Sequence, residues 1–229
     1  MDTQKEPRVQ DSTLLLSLLT AGFFSLFTIF TMMLLIVDVR RIGPYGSKVG
    51  FSTLNANVRD AVGRSNLWYD ISEWLGVFAL LAIVFFAGLG VWQLIRRKSP
   101  LKVDASIYLL GALYLLMVGF YLFFEVFVIN QRPILVDGQL EASYPSSHTM
   151  LVCTVMGSAI FAVRTLFKSK AVRISVTAVA SVVMALTAVG RMLSGVHWFT
   201  DILGGLLLSC ALVSLYVTAQ ALVRDLRSN

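Results

Sequence analysis

Four stretches of the chain, Leu14–Val37, Trp74–Ile95, Ala105–Phe124 and Ile202–Val223, contain no Asp, Glu, Lys or Arg. As helices rising about 1.5 Å per residue, each is long enough to cross a hydrocarbon core about 30 Å thick. Runs of that length leave a soluble fold too little polar surface, and the composition agrees: 57% of the residues are hydrophobic and 14% charged. Two shorter runs, Ser147–Val163 and Ile174–Gly190, lie near the lower length limit and are counted as spans. The expectation is an all-α integral membrane bundle of six transmembrane helices. It forms one membrane domain over residues 1–229, with a motif-bearing core at about 105–223. The first run is too long for a secretory core and has no small-residue cleavage site before Asp38, so it is expected to stay as a helix. Cys153 and Cys210 fall inside spans, without metal or disulfide spacing, and read as small core residues.

The formal net charge of +6 does not point to nucleic acid, because the basic residues are scattered through short connections instead of lining one face. Six spans put both termini on one side. With them go Lys5, Arg8, Arg96, Arg97, Lys98, Lys102, Arg164, Lys168, Lys170, Arg173, Arg224 and Arg227, twelve of the nineteen basic residues. The positive-inside rule then puts the termini in the cytoplasm and the loop around Asp137 outside. Between the first two spans, Phe51, Leu54, Val58 and Val62 recur at helical steps, with Ser52 or Thr53 as cap. This predicts a surface amphipathic helix, either lying on the membrane or capping the bundle. Trp68 and Tyr69 are expected as interfacial anchors.

Ionisable groups at the mouth of a span are costly, about 2.5–3.5 kcal/mol at a helix centre on insertion scales, so each is a candidate functional residue. Glu125, Arg132, His148, Arg191, His197 and Asp201 come from separate parts of the chain, yet six-span topology brings them all to one face. His197 and Asp201 are four apart and share a helical face, so a carboxylate there can orient an imidazole. The same spacing also suits a polar pair joining two helices. Arg132, Arg191 and the hydroxyls and amides of Ser146, Ser147 and His148 at a helix start are the groups that hold a phosphate. Two histidines beside such a cradle can divide phosphoryl transfer between nucleophile and acid.

In these motifs the chain resembles the type 2 phosphatidic acid phosphatases, whose fold and site are similar to those of the vanadium haloperoxidases. The family pattern is Lys, six residues and Arg-Pro; Pro-Ser-Gly-His; and Ser-Arg, five residues, His, three residues and Asp. Here the segments are EVFVINQRP (Glu125 to Pro133), PSSH (Pro145 to His148) and GRMLSGVHWFTD (Gly190 to Asp201). Spacing is kept, while Glu125 stands for the lysine, Ser147 for the glycine and Gly190 for the serine. The resemblance implies His197 as nucleophile, Asp201 as its orienting partner and His148 as acid. Arg132, Ser146, Ser147 and Arg191 would bind phosphate oxygens.

The resemblance also implies metal-free chemistry with no cofactor and a lipid phosphate as substrate: undecaprenyl diphosphate, phosphatidylglycerophosphate or phosphatidic acid. Glu125 is expected to orient Arg132 or Arg191 without touching phosphate. Two other readings remain open at this stage: a lipid phosphotransferase, and a relic in which Glu125 has converted the site to lipid phosphate binding or transport.

Overall fold

The computed structural model of the protein describes residues 7–136 and 138–228. Lys5 and Asp137, used above to argue orientation, lie outside the described residues. In chain order the elements are α1 (Pro7–Ile36), a two-stranded hairpin of β1 (Arg40–Arg41) and β2 (Lys48–Val49), α2 (Ser52–Val62), α3 (Asn66–Arg97), α4 (Ala105–Val126), α5 (Ser147–Leu166), α6 (Lys170–Leu193) and α7 (Phe199–Ser228). In the hairpin the strands are antiparallel, with Arg40 opposite Val49. Among the described residues, six α-helices contain a segment long and apolar enough to cross a membrane, and α2 is the seventh α-helix.

The bundle is built around α5. In its most apolar window 72% of the residues are buried by protein, against 17% in α3 and α6, and its mean hydropathy, 1.6, is the lowest of the six. It packs on α3, α4, α6 and α7, while α1 packs along α7. A helix surrounded by protein can pair its hydroxyls with those of its neighbours, whereas an outward-facing one pairs them with its own backbone, as exposed Thr28 of α1 does with the Phe24 carbonyl. Thr154 of α5 donates to Ser209 of α7 at 3.3 Å, and the Ser158 hydroxyl lies 3.2 Å from that of Tyr114 in α4. Similarly, Thr20 of α1 and Thr218 of α7 share a hydrogen bond of 2.9 Å. Cys153 is a buried core residue as expected, whereas Cys210 is exposed on the bundle's outer surface.

Helix α2 forms where the apolar stripe predicts it, but it is held by polar contacts. Its buried residues are Ser52 and Asn55, and Leu54 is exposed. Neither Ser52 nor Thr53 caps the helix. Phe51, in left-handed conformation, occupies the cap position, and the Asp38 carboxylate accepts from the Thr53 amide at 2.7 Å. Asn55 reaches the start of α7: its amide donates to the Thr200 hydroxyl at 2.9 Å and its carbonyl oxygen accepts from the Thr200 backbone at 3.1 Å. One of the amides left open at the start of α7 is thereby satisfied from α2. The helix therefore caps the bundle, with Arg59 stacked 5.5 Å over the Trp198 ring.

Tyr144 is buried at the site end of the bundle. Its ring packs against Phe27, Phe30 and Phe124, and its hydroxyl lies 2.7 Å from that of Thr31. The ring rests directly on Gly204 of α7, where an added Cβ would collide with it. Gly204→Ala should therefore cost about 3 kcal/mol, at the upper end of overpacking, since neither a fully buried ring nor a helix backbone can yield. Thermal unfolding in detergent checks this, and a variant as stable as the parent would show that the ring can move.

Candidate active site

Three connections at one end of the bundle, together with the start of α3, bring the candidate residues together. His197 lies in the turn between α6 and α7, Asp201 in the first turn of α7, and Arg191 in the last turn of α6. His148 is the second residue of α5, and Arg132 lies in the loop after α4.

His197 is buried, and each of its ring nitrogens has partners. Nδ1 is 3.1 Å from the Ser143 carbonyl oxygen and 3.1 Å from the Ser143 hydroxyl. That hydroxyl donates its own hydrogen to Asp201 Oδ2, so it too acts as an acceptor toward the ring. The network thus assigns the proton to Nδ1. Nε2 keeps its lone pair and lies 3.3 Å from Arg191 Nη2, which donates to it.

Asp201 acts on the ring at one remove. Its carboxylate lies 3.9 Å from Nδ1, too far for a hydrogen bond, and reaches the imidazole through the Ser143 hydroxyl. The expectation of direct contact one helical turn apart is corrected accordingly. The carboxylate also accepts from the Trp198 amide at 2.9 Å and from Asn130 Nδ2 at 3.1 Å. The first contact is the return half of a capping box at the start of α7.

Arg191 is the centre of the site. Its side chain is 1% exposed, with Nη1 2.8 Å from Glu73 Oε1 and 3.3 Å from the Ser72 hydroxyl. The guanidinium stacks 5.6 Å over Tyr69, so Tyr69 supports the arginine, a contact the sequence did not announce. Its Nε is buried with no protein partner, a donor left for an acceptor from outside the chain. Glu73 Oε2 lies 3.1 Å from His148 Nε2, so this one carboxylate joins the histidine to the arginine. Gly190 packs against Trp68 and Ser72, and a hydroxyl stands beside Arg191 from Ser72 although position 190 has none.

At the start of α5 the two serines differ. Ser146 is fully buried: its hydroxyl accepts from the Thr149 amide and hydroxyl, and its own amide donates to the Asp201 carbonyl oxygen at 2.9 Å. Its amide therefore serves the turn, while its hydroxyl hydrogen is not used by these contacts. Ser147 and His197 instead line one small cavity with Glu125 and Tyr121. Arg132 Nε lies 3.0 Å from Glu141 Oε2.

The expected orienting role of Glu125 is likewise corrected, since Glu73 holds Arg191, Glu141 holds Arg132, and the exposed Glu125 lies by the Tyr121 hydroxyl. Sequence reasoning missed Glu73, Ser143 and Asn130. For Glu73 a signal exists: it is an ionisable residue at the mouth of the run Trp74–Ile95, as Glu125 is for its own span. Ser143 and Asn130 carry none, being ordinary loop residues.

Burial, with Arg191 and Arg132 close by, holds the His197 ring well below the usual histidine value and so neutral at pH 7. The unfolded chain takes up this proton near pH 6.5, whereas the folded chain resists it. The unfolded state then binds more protons as pH falls below about 6.5, and stability should decline over that window by up to about 1.4 kcal/mol per pH unit from this group. His197→Gln should flatten the decline in thermal unfolding measured from pH 7 to pH 5. An unchanged slope would assign the decline to other groups.

Among solved structures, the fold is similar to "the first transmembrane PAP2 type phosphatidylglycerolphosphate phosphatase from Bacillus subtilis", with a TM-score of 0.58 and 22% identity, covering 87% of this chain and 94% of that one. A second, more distant likeness is to Aquifex aeolicus LpxE, with a TM-score of 0.39 and 22% identity over 72% of this chain and 93% of that one. No curated protein matches the sequence. The profile of the PAP2 superfamily matches residues 77–224, a stretch that includes all three motifs and the helices that bring them together. With most of its length inside that match, the chain belongs to the PAP2 superfamily.

Proposed function

We propose that the protein is a membrane lipid phosphatase that removes a terminal phosphate from a lipid through a phosphohistidine on His197 Nε2. The observation that carries this reading is the placement of that nitrogen, 3.3 Å from the Arg191 guanidinium on a ring backed through Nδ1 by Ser143 and Asp201, a network that leaves Nε2 the lone pair. A lone pair held beside a buried cation is suited to attack phosphorus as the arginine draws the phosphate oxygens in. Arg191, Arg132 and the Ser147 and His148 amides at the start of α5 bind those oxygens. The P–N bond forms as the P–O bond breaks, and His148 protonates the departing oxygen. Water then attacks the phosphohistidine, His148 takes its proton, and inorganic phosphate leaves. No step needs a metal or cofactor.

The proposed substrates are undecaprenyl diphosphate, phosphatidylglycerophosphate and phosphatidic acid, the first being favoured if the site faces outward. For orientation we propose cytoplasmic termini and an extracytoplasmic site, which the bias of basic residues supports. Purified protein in detergent with chelator and a panel of these lipids tests the reading. Phosphate release, with a phosphoenzyme labile to acid and stable to base, is expected. Absence of release from every lipid would overturn it.

A further inference from the structure

On α3, Tyr69, Ser72, Glu73 and Gly76 fall on one face, and each meets the site. Tyr69 lies under the Arg191 guanidinium, and Ser72 and Glu73 accept from its Nη1. Gly76 lets the His148 ring lie against the helix, since a Cβ there would stand 3.0 Å from His148 Cδ2 and 3.3 Å from Nε2. The Glu73 carboxylate gives one oxygen to each partner, Oε1 to Arg191 at 2.8 Å and Oε2 to His148 at 3.1 Å. None of these four residues belongs to a motif, and all precede the family match, which begins at residue 77.

We propose that Glu73 is a positioning residue that holds His148 as the acid for the departing oxygen and fixes it to the arginine that holds the phosphate. This rests on the reading of His148 as the acid. With Nε2–H donated to Glu73, Nδ1 is the nitrogen left for the substrate. Its proton passes to the departing oxygen as His197 Nε2 bonds to phosphorus, and Nδ1 recovers a proton from the water that later attacks the P–N bond. The Nε2–H bond to Glu73 persists through both halves, so the carboxylate faces an imidazolium when the acid is loaded and a neutral ring when it is spent. A carboxylate this close to an incoming phosphate would repel it if unpaired, and the two cationic partners offset that charge.

The test compares two leaving groups in Glu73→Gln. An amide can accept from Arg191 or from His148, but it presents its NH2 to the other. Dodecyl phosphate departs as an alkoxide that needs the proton, whereas p-nitrophenyl phosphate departs as a stable phenolate. The value of kcat/KM, which reports formation of the phosphoenzyme, should fall about 30-fold or more for dodecyl phosphate and only about threefold for p-nitrophenyl phosphate. Equal losses on both substrates would show that Glu73 acts only through Arg191 or the fold, and no loss would show that it does not act at all. Either result overturns the inference while leaving the phosphatase reading intact. A parent protein that releases no phosphate from either substrate or from any of the three lipids would sink both together. If Glu73→Gln does not accumulate as folded protein, Glu73→Asp serves in the same comparison, since the shorter carboxylate cannot span both partners.

Discussion

Alanine at His197 should leave a folded protein that releases phosphate from its lipid substrate about 10⁴-fold more slowly, or slower still. The size of the loss follows from the lack of a substitute. The other histidine has its Nε2 committed to Glu73, and no third histidine exists in the chain. Water could enter the space left by the imidazole and attack directly, but it would lack the orientation that Ser143 gives the ring. The cost to folding should be about 1–3 kcal/mol, since the Ser143 carbonyl and an Arg191 N–H each lose a buried partner. Phosphate release gives the rate, and labelling with radioactive phosphate should give no acid-labile phosphoenzyme. Turnover within tenfold of the parent would end the assignment of the nucleophile.

Asp201→Asn should be nearly as damaging to catalysis, about 10²- to 10³-fold, and should also destabilise the protein by about 2 kcal/mol. The carboxylate accepts three hydrogen bonds while fully buried: from Ser143 and the Trp198 amide on Oδ2, and from Asn130 on Oδ1. An amide has only one oxygen. If its NH2 replaces Oδ2, it points at the Trp198 N–H, which cannot turn away. If it replaces Oδ1, it points at the NH2 of Asn130, whose own oxygen is held 3.3 Å from the Gly50 amide. Either placement leaves two donors facing each other in a dry site. In the first placement the Ser143 hydroxyl would also turn its hydrogen toward His197 Nδ1 and favour the wrong tautomer. Activity and thermal stability measured on the same preparation check both effects. A variant that lost neither would mean that Ser143 alone orients the ring.

The six spans were legible because lipid is an undiscriminating solvent, and a helix that meets it must be apolar over its whole length. The convergence of Arg132, His148, Arg191, His197 and Asp201 followed from counting those spans. Contacts that depend on side-chain reach were not legible. Asp201 stands at a spacing that suggests direct contact with His197, yet the start of α7 turns its carboxylate toward the Trp198 amide, and Ser143 fills the gap from a distant loop. Glu125 drew attention by standing at a motif position, whereas Glu73 lies at the end of a span in no motif and makes the contacts to Arg191 and His148. For α2 the apolar period is real, but the two residues it buries are polar, because what they meet is the open end of α7 and not a hydrocarbon surface.

The enclosure of α5 bears on how the chain is made. It is the least apolar of the six spans and the one most surrounded by protein. It leaves the ribosome before α6 and α7, two of the helices that enclose it. Its Thr154 finds its partner, Ser209, only once α7 has been synthesised. On emergence the Thr154 hydroxyl lacks that partner, whereas Ser158 and Thr165 already donate to carbonyl oxygens of α5 itself. Completion of the bundle supplies that partner along with two of the four helices that pack on α5, so we expect α5 to take its final place in the bilayer only after helices encoded downstream of it arrive. The segment that carries His148 is thus the one whose insertion depends most on the rest of the chain.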